Sequence, residues 1–133
     1  MSTIDRLRPQ GLQINPAYPH VVVASGARTV YISGQVAMDE NGALVGAGDL
    51  GAQTTQVMRN LGRALDAAGA TFADVVKITS YVVGYRPEQR AVIGAARTPF
   101  FPAGQPPAST LVGVEALAAP GWLIEIEAIA VID

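Results

Sequence analysis

Apolar positions along this chain recur with two different periods, and the switches between them divide it into elements. Over residues 123–131 the period is two. Ile124, Ile126, Ala128 and Ala130 fall on one face of a strand, and Leu123, Glu125, Glu127, Ile129 and Val131 on the other. Residues 75–83 alternate likewise, with Val76, Ile78, Ser80 and Val82 opposite Val75, Lys77, Thr79, Tyr81 and Val83. Between residues 50 and 68 the period becomes helical: Val57, Met58, Leu61, Leu65 and Ala68 share one stripe, Asp49 suits the N-cap, and Gly69 suits the left-handed residue that ends a helix. A second helix is expected to begin near Pro87 and to end around Thr98, where Pro99 stops it.

The N-terminal third reads as strands. An opening strand is expected over residues 6–12, ended by Asn15-Pro16 and Tyr18-Pro19. The β-rich runs 21–23 and 29–32 flank a glycine-containing loop and predict a hairpin. Asn41-Gly42 predicts a second turn, between 36–38 and 43–45. A loop at 102–107 precedes strands at 109–114 and 123–131. The order ββββ-α-β-α-ββ predicts an α+β two-layer sandwich: one domain over residues 1–133, with a mixed sheet and both helices on one face. The terminal strand adds a constraint. Its second face is apolar at both ends and carries two carboxylates between, which suits neither solvent nor a plain core. It predicts a sheet covered on both sides, with Glu125 or Glu127 in a polar pocket or a subunit interface.

Composition sharpens this picture. Charged residues are 15% of the 133 and apolar residues 50%, too little charge to coat a monomer generously, which favours an oligomer. No apolar run is long enough for a membrane span and no secretory leader is apparent, so a cytoplasmic protein is expected. With no cysteine and one histidine, His20, thiolate chemistry, disulfides and a multi-histidine metal site are excluded within one chain. The net charge is −2 and the nine basic residues are spread out, Lys77 being the only lysine, so no nucleic-acid partner is expected.

Tyr31-Ile32-Ser33-Gly34-Gln35, Val76-Lys77-Ile78-Thr79, Phe100-Phe101-Pro102, Pro107-Ala108-Ser109-Thr110 and the 124–130 strand together resemble the RidA-like family, also called YjgF or L-PSP proteins. The resemblance covers nearly the whole chain. It implies a chorismate-mutase-like fold and a homotrimer with the sheets forming an inner barrel, the helices outside, and clefts between subunits. It also implies hydrolysis of reactive 2-imino or 2-enamino acids to 2-keto acids and ammonia, without metal or organic cofactor. Glu125 matches the glutamate that steers water, Tyr18 the tyrosine before the first long hairpin, and Ser33 the serine of the Ser-Gly-Gln motif.

Two positions depart from that pattern. Ser109 stands where the deaminases carry a carboxylate-binding arginine, and Gly94 where an asparagine is usual, which places the chain in an arginine-lacking subgroup. Losing a bidentate charged pair removes roughly 3–5 kcal/mol, a hundredfold or more in affinity or rate, so deaminase activity on simple 2-imino acids is not transferred by name. Arg97, close to Phe100-Phe101, is the candidate replacement cation, set against a solvated or interfacial arginine. Ser109 and Thr110 complete the candidate substrate contacts. Two functions follow: a hydrolase or deaminase of a small imine, enamine or related metabolite, or a non-catalytic trimer that binds a small neutral or weakly anionic ligand. Endoribonuclease action is disfavoured because no basic patch is visible. A glycosidase-like use of Glu125 with Glu127 lacks a sugar platform.

Overall fold

The computed structural model describes residues Met1–Asp133. Strands β1 (Thr3–Leu7) and β2 (Val21–Ser25) form an antiparallel pair of their own. Strands β3 (Arg28–Gln35), β4 (Val75–Val83), β5 (Ala108–Val114) and β6 (Ile124–Ile132) make a four-stranded sheet in the order β3-β6-β4-β5. Only β4 and β5 run parallel. A parallel pair needs a crossover, and helix α2 (Gln89–Arg97) supplies it. Helix α1 (Leu50–Ala67) packs with α2 on the sheet, so the α+β architecture with two helices on a mixed sheet is the one observed.

Periodicity explains the layer between helices and sheet. Val57, Met58, Leu61 and Leu65 of α1 and Ile93 of α2 meet Ile78, Val82, Ile124, Ile126, Ala128 and Ala130 in one buried cluster. Each fully buried Leu, Ile or Met contributes about 1.5–3 kcal/mol of apolar transfer. Asp49 caps α1 by accepting from the Ala52 N–H at 3.0 Å, and Gly69 follows the helix at φ 74°.

Four local expectations are corrected. The opening strand is Thr3–Leu7 rather than 6–12, and Pro9, without an N–H, follows its end. The hairpin of 21–23 with 29–32 does not form, because β2 pairs with β1, Thr3 opposite Ser25 and Leu7 opposite Val21. Gly26 is not at positive φ; a Cβ there would lie 2.7 Å from the Ile132 carbonyl oxygen, so glycine permits close passage over the end of β6 rather than a tight turn. Residues 43–45 contribute only an isolated Met38–Leu44 bridge, although the turn beside it forms, with the Asp39 carboxylate accepting from the N–H groups of Asn41 and Ala43. Lastly, the ladder shifts between Val75 and Lys77, so Val75 rather than Val76 enters the core.

The other sheet face is covered within the chain only at its Val131 end, where the segment around Gly26 passes close to β6. Elsewhere on it Tyr31 is 78% exposed and Val112 39%.

Candidate active site

The candidate residues divide between the two faces of the sheet. Ser109 is in register with Ile78, which points to the helices, whereas Thr110 is in register with Thr79 and Glu127 on the open face. Tyr18, Ser109 and Arg97 therefore gather on the helix side, and Ser33, Thr110 and Glu125 on the open side.

On the helix side a cavity of about 650 Å³ lies between α2, the 101–107 loop, the start of β5 and residues 16–17. Arg97, in the last turn of α2, donates from Nη1 to the Ser80 hydroxyl at 3.0 Å, and Ser80 is itself fully buried. A cation at a helix C-terminus is favoured by the helix dipole. Burial pulls the Arg97 pKa below its ordinary value, yet a guanidinium stays protonated in a protein at neutral pH. It has no carboxylate partner: the single ion pair of the structure joins the N-terminal amine to Asp133 at 3.3 Å. Arg97 is thus half-buried rather than fully solvated.

Ser109 and Gly94 line the same cavity, and a Cβ built on Gly94 would meet nothing within 4 Å. A smaller cavity of about 300 Å³ shares Arg97 and Ser109 and extends to Tyr18 and Tyr85. Tyr18 is half-buried, with His20 edge-on at 6.0 Å between ring centroids, and the His20 ring is hydrogen-bonded to the Gln13 carbonyl. His20 is thereby a packing residue beside the cavity.

On the open face Glu125 lies against Gly34. A Cβ on Gly34 would overlap the Glu125 carboxylate, with its carboxyl carbon at 2.6 Å. This is a physical reason for the glycine of the Ser-Gly-Gln motif: only a bare Cα leaves Glu125 its place. Glu127, one register step along, accepts from the Tyr81 hydroxyl at 2.8 Å. That hydrogen bond, then desolvation and the charges of Glu127 and Glu125, raise the Tyr81 pKa above its ordinary value. Glu127 is therefore tethered, whereas Glu125 makes no side-chain hydrogen bond within the chain. Thr110 accepts from Lys77 Nζ at 2.6 Å. Ser33 is exposed on β3, where its carbonyl accepts from the Gln35 amide at 3.0 Å.

Sequence reasoning missed Arg8 and Arg90, which line the larger cavity with Arg97, and it missed Tyr81 as the partner of Glu127. The spacing of Arg90 and Arg97, seven residues within one helix, was the available signal for the first.

Comparisons with known proteins agree with this fold. The family profile described as "Endoribonuclease L-PSP" matches residues 11–132. A 2-iminobutanoate/2-iminopropanoate deaminase of Rattus norvegicus is 36% identical over 115 residues, 86% of this chain and 80% of that protein. A solved Rid-family protein of Yersinia pestis, described as of unknown function, is 43% identical and superposes with a TM-score of 0.92 over 96% of this chain and 98% of its own. A RidA from a Psychrobacter species is 28% identical, with a TM-score of 0.70 over 95% and 94%. No helix of the chain is long and apolar enough to cross a membrane.

Proposed function

Because the chain belongs to the RidA/YjgF (L-PSP) family, we propose that it hydrolyses a small anionic imine or enamine to the corresponding carbonyl compound and ammonia. The observation that carries this reading is the Arg97 guanidinium, half-buried and without a carboxylate partner in the cavity that Ser109 and Gly94 also line. The anchor that position 109 lacks is supplied from α2, one helical turn beyond Gly94.

The chemistry needs little else. Arg97 holds the carboxylate, fixing the imine carbon in place. Glu125 takes a proton from the water as oxygen adds to that carbon and passes it to the imine nitrogen, giving a carbinolamine; it then relays the hydroxyl proton to that nitrogen as C=O forms and the C–N bond breaks, releasing ammonia. Ser109, Thr110 and Ser33 supply hydroxyls, and Tyr18 an aromatic wall.

Within one chain the sheet separates Glu125 from Arg97. A second copy resolves this, and a homotrimer whose open sheet faces meet would set Glu125 of one subunit beside the cavity of the next. The half-exposed apolar side chains around the two glutamates support such an assembly, since a solvated strand would not carry them.

The test is ammonia release from imines generated in situ, by wild type and by Glu125→Gln. Turnover that Glu125→Gln abolishes is expected. Ligand binding with no turnover of any imine or enamine would favour a non-catalytic binding role instead.

A further inference from the structure

The larger cavity is too cationic and too long for one small carboxylate. Arg8, Arg90 and Arg97 all line it, and Glu88 is the only carboxylate at its walls. The three cations come from two separate segments, the residues after β1 and helix α2. None of the three arginines forms an ion pair, with Glu88 or with any other carboxylate of the chain, so the net charge at the walls is positive. A site of this kind is completed by an anion.

Helix geometry sets the spacing. Arg90 and Arg97 are seven residues apart in α2, about 10.5 Å along its axis and nearly on one face. Between them on that face lies Gly94, four residues after Arg90 and three before Arg97. A Cβ there would meet nothing within 4 Å, so the helix face between the two arginines stays open to the cavity. Ala91, the other residue of that turn in the cavity wall, is also small. The volume of about 650 Å³ lies in the range that encloses drug-sized ligands, well beyond what a three-carbon acid fills.

We infer that this cavity takes a ligand with two anionic ends, a dicarboxylate of about four to five carbons, one end held by the half-buried Arg97 and the other by the exposed Arg90 with Arg8 at the mouth. The inference rests on the proposed site and deepens it. The substrate class becomes the imines or enamines of dicarboxylic acids, and a neutral or weakly anionic ligand is disfavoured.

Calorimetric titration of the intact protein with oxaloacetate and 2-oxoglutarate, against pyruvate and 2-oxobutanoate, is the test. The dicarboxylates are expected to bind tighter by about tenfold or more, the effect of one additional charged anchor. Arg90→Ala is expected to erase that preference. Arg86→Ala removes an equal charge outside the cavity and is expected to keep it. Gly94→Leu, a better helix former than glycine, is expected to block both classes by filling the gap.

Equal affinity for the two classes, no binding of either, a preference that survives Arg90→Ala, or one lost equally in Arg86→Ala would each overturn the inference. So would full binding by Gly94→Leu. The outcomes separate from those of the hydrolase reading. Selective dicarboxylate binding without turnover refutes hydrolysis and leaves the two-anion site standing, whereas turnover of monocarboxylic imines without dicarboxylate preference does the reverse.

Discussion

The two faces of the four-stranded sheet carry opposite chemistry, and they are finished to different degrees. The helix face has its Ile and Val side chains sealed by α1 and α2, with a cationic cavity at the β5 edge. The open face holds Glu125, Glu127, Tyr81, Lys77 and Thr110 among half-exposed apolar side chains, and the chain covers it only at the Val131 end. One face is what a folded monomer needs. The other makes sense as half of something: it carries a free carboxylate and an apolar margin, while the cations of the proposed site lie across the sheet.

Substitutions can break this comparison. The largest effect is expected at Glu125: Glu125→Gln should lower kcat by about 10²–10⁴-fold, the usual contribution of a positioned acid–base group, with ligand affinity in calorimetry nearly unchanged. Arg97→Ala should act on the other face, lowering both ligand affinity and kcat/KM by roughly a hundredfold. Core and open face should also part in stability. Ile126→Ala, at a fully buried position, should cost about 2–5 kcal/mol in denaturant unfolding. Ile129→Ala, three residues on and on the open side, should instead raise the concentration at which the assembly dissociates, read by analytical ultracentrifugation.

Gly34→Ala sharpens the point about Glu125. The new methyl meets the end of a flexible side chain rather than backbone, so stability should change little while turnover falls with the displaced carboxylate. The smallest effect is expected for Tyr81→Phe. The Tyr81 pKa is raised above 10.0, first by its hydrogen bond to Glu127, so the folded state holds that proton more tightly than the unfolded chain. Its stabilising contribution is therefore complete below pH 10 and is lost as pH rises through the folded value. The stability difference between wild type and Tyr81→Phe should be constant near neutrality and shrink above pH 10 in urea unfolding.

Legibility in the sequence followed the range of the signal. Helix α1, its Asp49 cap, Gly69, the span of β4 and the two faces of β6 were all readable, because caps and periods are written within a few residues. The partner of β2 was not. Gly26 resembles a hairpin glycine, but its task is set by the carbonyl of Ile132, more than a hundred residues away. The cationic cavity was hidden for the same reason: Arg8, Arg90 and Arg97 are scattered along the chain, and only the β4-α2-β5 crossover and the residues after β1 bring them together. Ser109 and Gly94 depart from the family pattern and line the same cavity as Arg97, and on the proposed reading Arg97 takes the role that position 109 leaves open.

The central claim, that the carboxylate of one copy serves the cations of another, is tested most directly by mixing two disabled proteins. Arg97→Ala and Glu125→Gln are each expected to be inactive in imine hydrolysis, and co-assembled in equal amounts they should regain roughly a quarter of wild-type activity, since that share of interfaces in a cyclic assembly joins an intact arginine to an intact glutamate. Verified mixed assemblies that regain no activity, or a Glu125→Gln protein as active as wild type, would contradict it.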